Sequence, residues 1–261
     1  MRRSILLACA AGVLSSCGSA NTAQLPLPMP APVQMMPGRD YSDVLASPIR
    51  TDEDRARDEA RRARATLEAI GVQPGWKVAD MIIGGGYFTR ILSAAVGPRG
   101  HVTAWQPAEF IAFQTSYGEA LTAADALPNV TGIRSPIGAP AFPSGLDLIF
   151  TAQNYHDLHL RPFPADTASR VNAAAFAALK PGGRYVIIDH HAVDGAPLSV
   201  AHDLHRIDHD TVVAEVEAAG FRLSEEAALL WNDDDPRTAN VFDGSIRGRT
   251  SQFFIVFRKP D

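Results

Sequence analysis

Short apolar runs alternate with amphipathic stretches along most of the chain. The apolar runs at residues 78–83, 101–105, 130–133, 146–152, 185–188, 221–224 and 252–257 have the length of buried strands. Apolar residues at helical spacing occupy residues 51–70, 87–96, 108–126, 167–179 and 210–219. Strand–helix–strand units predict a parallel sheet with right-handed crossovers. Because no helical pattern separates the last two runs, we predict that those two strands pair antiparallel.

A run of three glycines, Gly84, Gly85 and Gly86, joins the first apolar run to an amphipathic segment that begins at Tyr87. Glycine tolerates positive φ and leaves room for a ligand, and a helix start offers unpaired N–H groups. The arrangement therefore favours a nucleotide-like ligand, although glycine-rich turns without a ligand are common.

The helix predicted at residues 51–70 has clear end signals. Thr51 can cap its start, three acidic residues follow, and Gly71 ends it. Its arginines alternate with acidic residues. We interpret them as a solvated face and not as a binding patch.

The first residues have the composition of an export signal. Two arginines precede an apolar run at residues 5–14, which is too short to span a bilayer. Residues 14–17, Leu-Ser-Ser-Cys, resemble a bacterial lipobox, so we expect cleavage before Cys17 and lipidation of that cysteine. Ordinary cleavage after Ala20 is the alternative. Cys9 lies inside the apolar run, so the mature chain would hold no pair for a disulfide.

These patterns predict three regions: a signal peptide at residues 1–16, a lipid anchor with a proline-rich tether at 17–45, and a folded domain at 46–261. The expected location is periplasmic, as a membrane-anchored lipoprotein, and the glycine after the cysteine indicates the outer membrane. Removal of residues 1–16 takes away two of the 24 basic side chains against 29 acidic ones, which leaves a formal charge of −7. That charge disfavours nucleic acid as a partner.

Four segments resemble the class I, Rossmann-like S-adenosylmethionine-dependent methyltransferases, and within them a group of bacterial predicted methyltransferases. The segments are VADMIIGGGYFT (78–89), LDLIFTAQNYHDLH (146–159), ALKPGGRYVIID (178–189) and NVFDGSIRGRTSQFF (240–254). The resemblance covers about residues 50–259. It implies a three-layer α/β domain with a Rossmann-like seven-stranded sheet, mostly parallel with the last strand antiparallel, and helices on both faces.

The resemblance also implies S-adenosylmethionine as cofactor and methyl transfer to a small molecule. The implied cofactor residues are Asp80, Gly84, Gly85, Gly86, Tyr87, Gln106 and Asn154. Two positions depart from the family's pattern: Ile82 replaces the first glycine of the loop, and Gln106 replaces the acidic residue that holds the ribose. An amide can accept one hydrogen bond there, without the charge-assisted component. The alternative is an exported, non-catalytic protein that keeps the fold and binds a ligand or partner.

Seven of the eight histidines lie between residues 156 and 209, after the fourth and fifth predicted strands. Methyl transfer to a hydroxyl or amine needs a base near the acceptor, and imidazole is suited to neutral pH. The predicted catalytic residues are His156, as the base, with Tyr155 beside it and His190 as the second candidate. Either Asp157 or Asp189 would orient the His156 ring.

Two other interpretations of the histidines remain open. The pairs His156-x-x-His159 and His202-x-x-His205 could each supply two metal ligands, but no H-E-x-x-H motif or cysteine accompanies them. We therefore predict no metal site. Loop histidines that cap helices or bond the backbone are the third interpretation.

Overall fold

The computed structural model describes residues 31–32 and 39–261. The predicted signal peptide, Cys17 and most of the predicted tether lie outside the described residues. Within the described ranges, no helix combines the length and the apolarity needed to cross a membrane.

A single sheet of eight strands runs through the described part of the chain. The strands are β1 (Ala31–Pro32), β2 (Lys77–Met81), β3 (His101–Pro107), β4 (Val130–Ser135), β5 (Leu146–Ala152), β6 (Leu179–His190), β7 (Arg222–Leu230) and β8 (Gln252–Arg258). Their order is β1-β7-β8-β6-β5-β2-β3-β4. Strand β8 is antiparallel to both of its neighbours, and every other pair is parallel. The seven predicted strands and the antiparallel last pair are confirmed, and β1 adds a two-residue edge.

Helices cover both faces of this sheet. Over the described residues they are α1 (Ser42–Leu45), α2 (Asp52–Ala56), α3 (Ala63–Ile70), α4 (Tyr87–Val96), α5 (Ala108–Phe113), α6 (Ser116–Asp125), α7 (Thr167–Ala178), α8 (Val200–Leu204) and α9 (His209–Ala218), with a 3₁₀ turn at His156–His159. The helices α4 and α7 lie where the pattern predicts them, and α9 begins one residue before its predicted range.

Two hydrophobic cores lie on opposite faces of the sheet. Successive side chains of a strand point to opposite faces, and the buried residues of β5 divide accordingly. Leu148 and Phe150 pack with α3 and α4 in one core, whereas Ile149 packs with α7 and α9 in the other. The three-layer α/β architecture predicted from the sequence is therefore confirmed.

The helix predicted at residues 51–70 is interrupted. Its start is as predicted, because the Thr51 hydroxyl accepts from the Asp54 N–H and the Asp54 carboxylate accepts from the Thr51 N–H, both at 3.1 Å. Residues 57–62 then form turns, and Arg62 has a left-handed φ of 46°. Asp58, in this turn, accepts hydrogen bonds from Arg50 and from the Tyr87 hydroxyl. These tertiary contacts outweigh the local helical preference.

Packing against the domain begins before the predicted boundary at residue 46. The Arg39 guanidinium donates to the carbonyls of Val72 and Ala95, at 2.6 Å each. Tyr41 is buried in the first core, and its hydroxyl donates to the Val72 carbonyl at 3.0 Å. Residues 39–45, predicted to be the end of the tether, therefore lie with the folded domain.

Candidate active site

A cavity of about 680 Å³ lies at the carboxyl edge of the sheet. Its wall includes residues at the carboxyl ends of β2, β5 and β6, three neighbouring strands. Between β2 and β5 the strand order changes direction, because β3 follows β2 on one side and β6 follows β5 on the other. Open α/β sheets bind ligands at such a switch point. A volume in this range suits a small-molecule ligand.

The glycine loop presents bare backbone to this cavity. Gly84 and Gly85 line the cavity, and a Cβ added at either position would meet no atom within 4 Å. Gly86 does not line the cavity; it precedes α4, and its N–H donates to the Ile83 carbonyl at 2.8 Å. Ile82, which replaces the family's first glycine, has a left-handed φ of 62°. For a β-branched residue this conformation costs roughly 1–2 kcal/mol.

Asp80, a predicted cofactor residue in β2, lines the cavity. It accepts a hydrogen bond from the Thr89 hydroxyl at 2.6 Å. Burial raises the pKa of this carboxyl to about 6, while the hydrogen bond from Thr89 and the charge of Arg61 oppose the shift. Asp80 is therefore a buried acceptor at the position where a polar ligand group would need one.

Two arginines of the segment predicted to be a solvated face line the cavity instead. The guanidinium carbons of Arg57 and Arg61 lie 5.2 and 5.0 Å from the ring centre of Tyr87, which is also in the cavity wall. Arg61 also donates to the Gln153 side-chain oxygen at 2.8 Å. Burial and the neighbouring Arg57 lower the pKa of Arg61 to about 10, so it stays charged at neutral pH. The pair gives this end of the cavity a positive potential.

Gln106, predicted to hold a ribose, does not line the cavity. The side chain is fully buried, and its oxygen accepts from the Gly84 N–H at 3.0 Å. The reason is the course of the loop: the N–H groups of Ile82 and Ile83 donate to the Trp105 carbonyl at 2.9 and 3.2 Å, which folds the loop over the end of β3. Gln106 thus supports the loop, and within the described residues its side-chain nitrogen has no partner.

Asn154 and Tyr155, adjacent in sequence, point in different directions. Asn154 lines the cavity, and its side-chain nitrogen donates to the carbonyls of Ile82 and Ala152 at 2.9 and 2.8 Å. The Tyr155 hydroxyl instead donates to Glu215 at 2.9 Å, on the α9 side of the sheet. Tyr155 is fully buried outside the cavity. The predicted catalytic position of Tyr155 is therefore wrong.

His156 lines the cavity between two carboxylates. Its Nδ1 lies 2.8 Å from an Asp189 oxygen, and its backbone N–H donates to the other oxygen at 2.6 Å. Its Nε2 lies 3.3 Å from Asp157. Burial alone would lower the pKa of His156, but the two aspartates raise it to about 9. The ring is then charged at neutral pH, which conflicts with its predicted role as the base.

The second candidate, His190, also lines the cavity and has the opposite charge state. Its Nδ1 lies 2.7 Å from the Thr250 hydroxyl. Burial lowers the pKa of His190 to about 3, so the ring is neutral at neutral pH. His190 can therefore exchange a hydrogen bond with a polar ligand, although a pKa this low makes it a weak base.

Neither of the two His-x-x-His pairs considered as alternative metal ligands has both members in the cavity wall, because His159 and His202 do not line it. His159 turns away from the cavity to Glu215, 3.1 Å distant. His205 comes to the cavity from the end of α8, and its ring centre lies 5.4 Å from that of His156. The ligand atoms of His156, Asp157 and His205 all lie within 4.8 Å of one another.

Aromatic side chains form another part of the cavity wall. Phe110, Phe113 and Tyr117 come from α5 and α6, and Phe242 comes from the segment between β7 and β8. Phe113 is 86% exposed and Phe242 is 59% exposed, so apolar surface flanks the opening. Sequence reasoning missed these residues, because they come from separate segments that only the fold brings together.

Comparisons with known proteins agree on the fold. No protein-family model matches the chain. Over 194 residues the chain is 27% identical to the ubiquinone/menaquinone biosynthesis C-methyltransferase UbiE of Erwinia tasmaniensis, covering 72% of each protein. A SAM-dependent methyltransferase from Aquifex aeolicus matches with a TM-score of 0.51 and 20% identity, over 85% of this chain and 99% of that one. The 4+2 cyclase SpnF matches with a TM-score of 0.52 and 16% identity, over 79% and 81%.

At these identities the solved structures bear on the fold alone, and one fold can serve more than one chemistry. The strand order, the antiparallel β8 and the cavity at the switch point agree with that comparison. The chain has the class I, Rossmann-like methyltransferase fold that the sequence predicts.

Proposed function

We propose that the protein transfers a methyl group from S-adenosylmethionine to a small molecule bound in the cavity. One observation carries the proposal: the bare glycine backbone, the buried Asp80 carboxylate and the polar ends of β5 and β6 line the same cavity. The likeness to a C-methyltransferase of quinone biosynthesis supports it.

The residues present fit this cofactor. Gly84 and Gly85 leave room for the ligand to approach the backbone. Asp80 offers a carboxylate acceptor, and the charges of Arg57 and Arg61 suit the carboxylate of the cofactor's amino-acid end. When bound, S-adenosylmethionine supplies an electrophilic methyl group on a sulfonium centre.

The remaining wall residues would position the acceptor. The aromatic side chains of Phe110, Tyr117 and Phe242 suit a flat, largely apolar molecule. His190, neutral at neutral pH, would exchange a hydrogen bond with a polar group of that molecule. Holding two reactants in line supplies much of the rate acceleration of such a transfer, and a strong base is then less important. The acceptor we propose is therefore an aromatic or quinone-like small molecule.

The second candidate function is ligand binding without methyl transfer. The observation that favours it is the position of Gln106, which is covered by the glycine loop and leaves the ribose without the acidic partner usual in this fold. An export signal, as the sequence predicts, would also lead the chain away from cytosolic cofactor.

A calorimetric titration with S-adenosylmethionine and S-adenosylhomocysteine tests the proposal. Gly85→Val adds a side chain to the cavity wall at a position free of close contacts, and we expect binding at least about 10-fold weaker. Gly244→Val is the matched control, because it too lacks close contacts and positive φ but lies outside the cavity wall. Absence of binding to the folded wild-type protein contradicts the proposal. Binding without formation of adenosylhomocysteine in the presence of phenolic or quinol acceptors favours the second candidate.

We also propose that the mature protein is held at the periplasmic side of a membrane by a lipid on Cys17. The lipobox-like sequence supports this, and Cys17 lies outside the described residues. Cys17→Ser should release the protein from the membrane fraction or leave it unprocessed. A variant that is processed normally and stays membrane-bound would contradict the proposal.

A further inference from the structure

We propose that His156, Asp157 and His205 form a binding site for a divalent transition-metal ion in the wall of the cavity. All three side chains line the cavity, and one ligand atom from each lies within 4.8 Å of the others. Two of the residues follow β5 directly and the third follows α8. The fold therefore brings together ligands that are distant in sequence.

The distances agree with a shared ion. Metal–ligand bonds of about 2.1 Å place neighbouring ligand atoms about 3.0–3.4 Å apart. The Nε2 of His156 lies 3.3 Å from Asp157, which is within that range. The His205 ring stands at 87° to the His156 ring, with the ring centres 5.4 Å apart. The ring of half-buried His205 packs against that of Phe242, with the centres 4.9 Å apart, and makes no side-chain hydrogen bond among the described residues. A shift of the ring toward the ion would therefore break no hydrogen bond of that side chain.

Asp189 would act as the positioning residue. Its carboxylate holds the Nδ1 of His156 at 2.8 Å and the backbone N–H at 2.6 Å, which directs Nε2 toward Asp157. Metal-binding histidines commonly donate their second ring N–H to a carboxylate in this way, while the ion takes the place of the proton on the other nitrogen, here Nε2. The carboxylate then fixes the ring orientation. The Asp189 side chain is fully buried, so this orientation is rigid.

The ligand set indicates which ions would bind. Two imidazoles and one carboxylate suit Zn²⁺, Fe²⁺ or Co²⁺, whereas Mg²⁺ and Ca²⁺ prefer oxygen ligands alone. Three protein ligands leave coordination positions open toward the cavity. An oxygen of the acceptor would take one of them; this last step rests on the proposed methyl transfer, whereas metal binding itself does not.

The test is a titration of the chelator-treated, untagged full chain with Zn²⁺, and with Co²⁺ followed by visible absorption. We expect one ion per chain. His205→Gln removes a half-buried ligand with no hydrogen-bond partner, so the fold should persist while affinity falls at least 10-fold. His159→Gln is the control, because His159 lies in the same 3₁₀ turn as the proposed ligand His156 but faces away from the cavity. Its affinity should equal that of the wild type.

Asp189→Asn tests the positioning role separately. Loss of such a partner typically weakens metal affinity about 10–100-fold, and we expect that loss together with altered Co²⁺ absorption bands. The proposal is overturned if the wild type binds neither ion with this stoichiometry, or if binding is equal in wild type and His205→Gln. A parallel titration with S-adenosylmethionine separates the outcomes: cofactor binding without metal refutes this site alone, and metal binding without cofactor refutes the proposed function alone.

Discussion

A buried ion pair fixes the segment between β7 and β8 that contributes Phe242 to the cavity wall. The side chains of Arg206 and Asp235 are both fully buried, and two N–O contacts of 2.9 Å join them. Arg206 also donates to the carbonyls of Ala239 and His191, at 2.8 and 2.9 Å. Arg206→Met keeps the apolar stem and removes all four hydrogen bonds. We predict that it destabilises the protein severely.

The expected loss of stability follows from the groups that Arg206→Met leaves buried without a partner. Asp235 would remain buried with its charge, still accepting from the Ser251 N–H at 2.6 Å but without its cationic partner. Burial raises the pKa of Asp235, and Arg206 is among the groups that lower it below its usual range. Breaking one side of a buried ion pair typically costs about 3–5 kcal/mol. In a domain of this size that corresponds to a fall in Tm of roughly 10 °C.

Urea denaturation followed by circular dichroism measures the change, and a second substitution makes the test specific. Asp235→Asn should destabilise the wild type but stabilise the Arg206→Met variant, because there it removes an uncompensated buried charge. Arg258→Met is the control: Arg258, whose side chain is 47% exposed, lies 3.3 Å from Glu225, and this solvent-accessible pair should contribute less than about 1 kcal/mol. A loss below about 1 kcal/mol in Arg206→Met, or additive effects of the two substitutions, would refute the reasoning.

Two further predictions concern stability. Burial lowers the pKa of His209, but Glu226 and Asp210 raise it to about 9. The charged His209 ring therefore stabilises the folded state fully below about pH 6.5, and this stabilisation is lost as the pH rises through 9. His209→Gln should therefore lower the free energy of unfolding at pH 6 by on the order of 1 kcal/mol and have little effect at pH 10; equal losses at both would contradict this. Gly100→Ala should cost about 1–3 kcal/mol in urea denaturation, because its Cβ would overlap Val96 and lie 2.7 Å from the Trp76 carbonyl; unchanged stability would show that the backbone shifts freely.

The sequence predicts the sheet well because strand formation here depends on local patterns. Each apolar run is short and is bounded by turn residues. Its successive side chains pack alternately into the two cores, as Leu148 and Ile149 do on opposite faces of the sheet. The interruption at Arg62 could not be predicted in the same way, since it depends on contacts between Asp58 and distant residues.

For the candidate site, the sequence identifies which strand ends meet but not where each side chain points. Asp80, Asn154 and His156 line the cavity, as expected from the carboxyl ends of parallel strands. The direction of Tyr155 depends on the 3₁₀ turn that begins one residue later. The direction of Gln106 depends on how the glycine loop folds over β3.

The charge state of the histidines was also beyond sequence reasoning. His156 follows β5, His190 ends the neighbouring strand β6, and an aspartate adjoins each in sequence. Even so, the pKa of His156 is raised to about 9 and that of His190 is lowered to about 3. Two carboxylates contact the first ring, whereas burial dominates at the second. Only the folded arrangement determines which effect is larger.

A crystal structure of the protein grown with S-adenosylhomocysteine would test the central claim most directly. The account predicts the nucleoside product in the cavity, against the backbone of Gly84 and Gly85, with its carboxylate near Arg57 and Arg61. A cavity that stays empty at saturating ligand, or a nucleoside bound at another surface, would contradict the account.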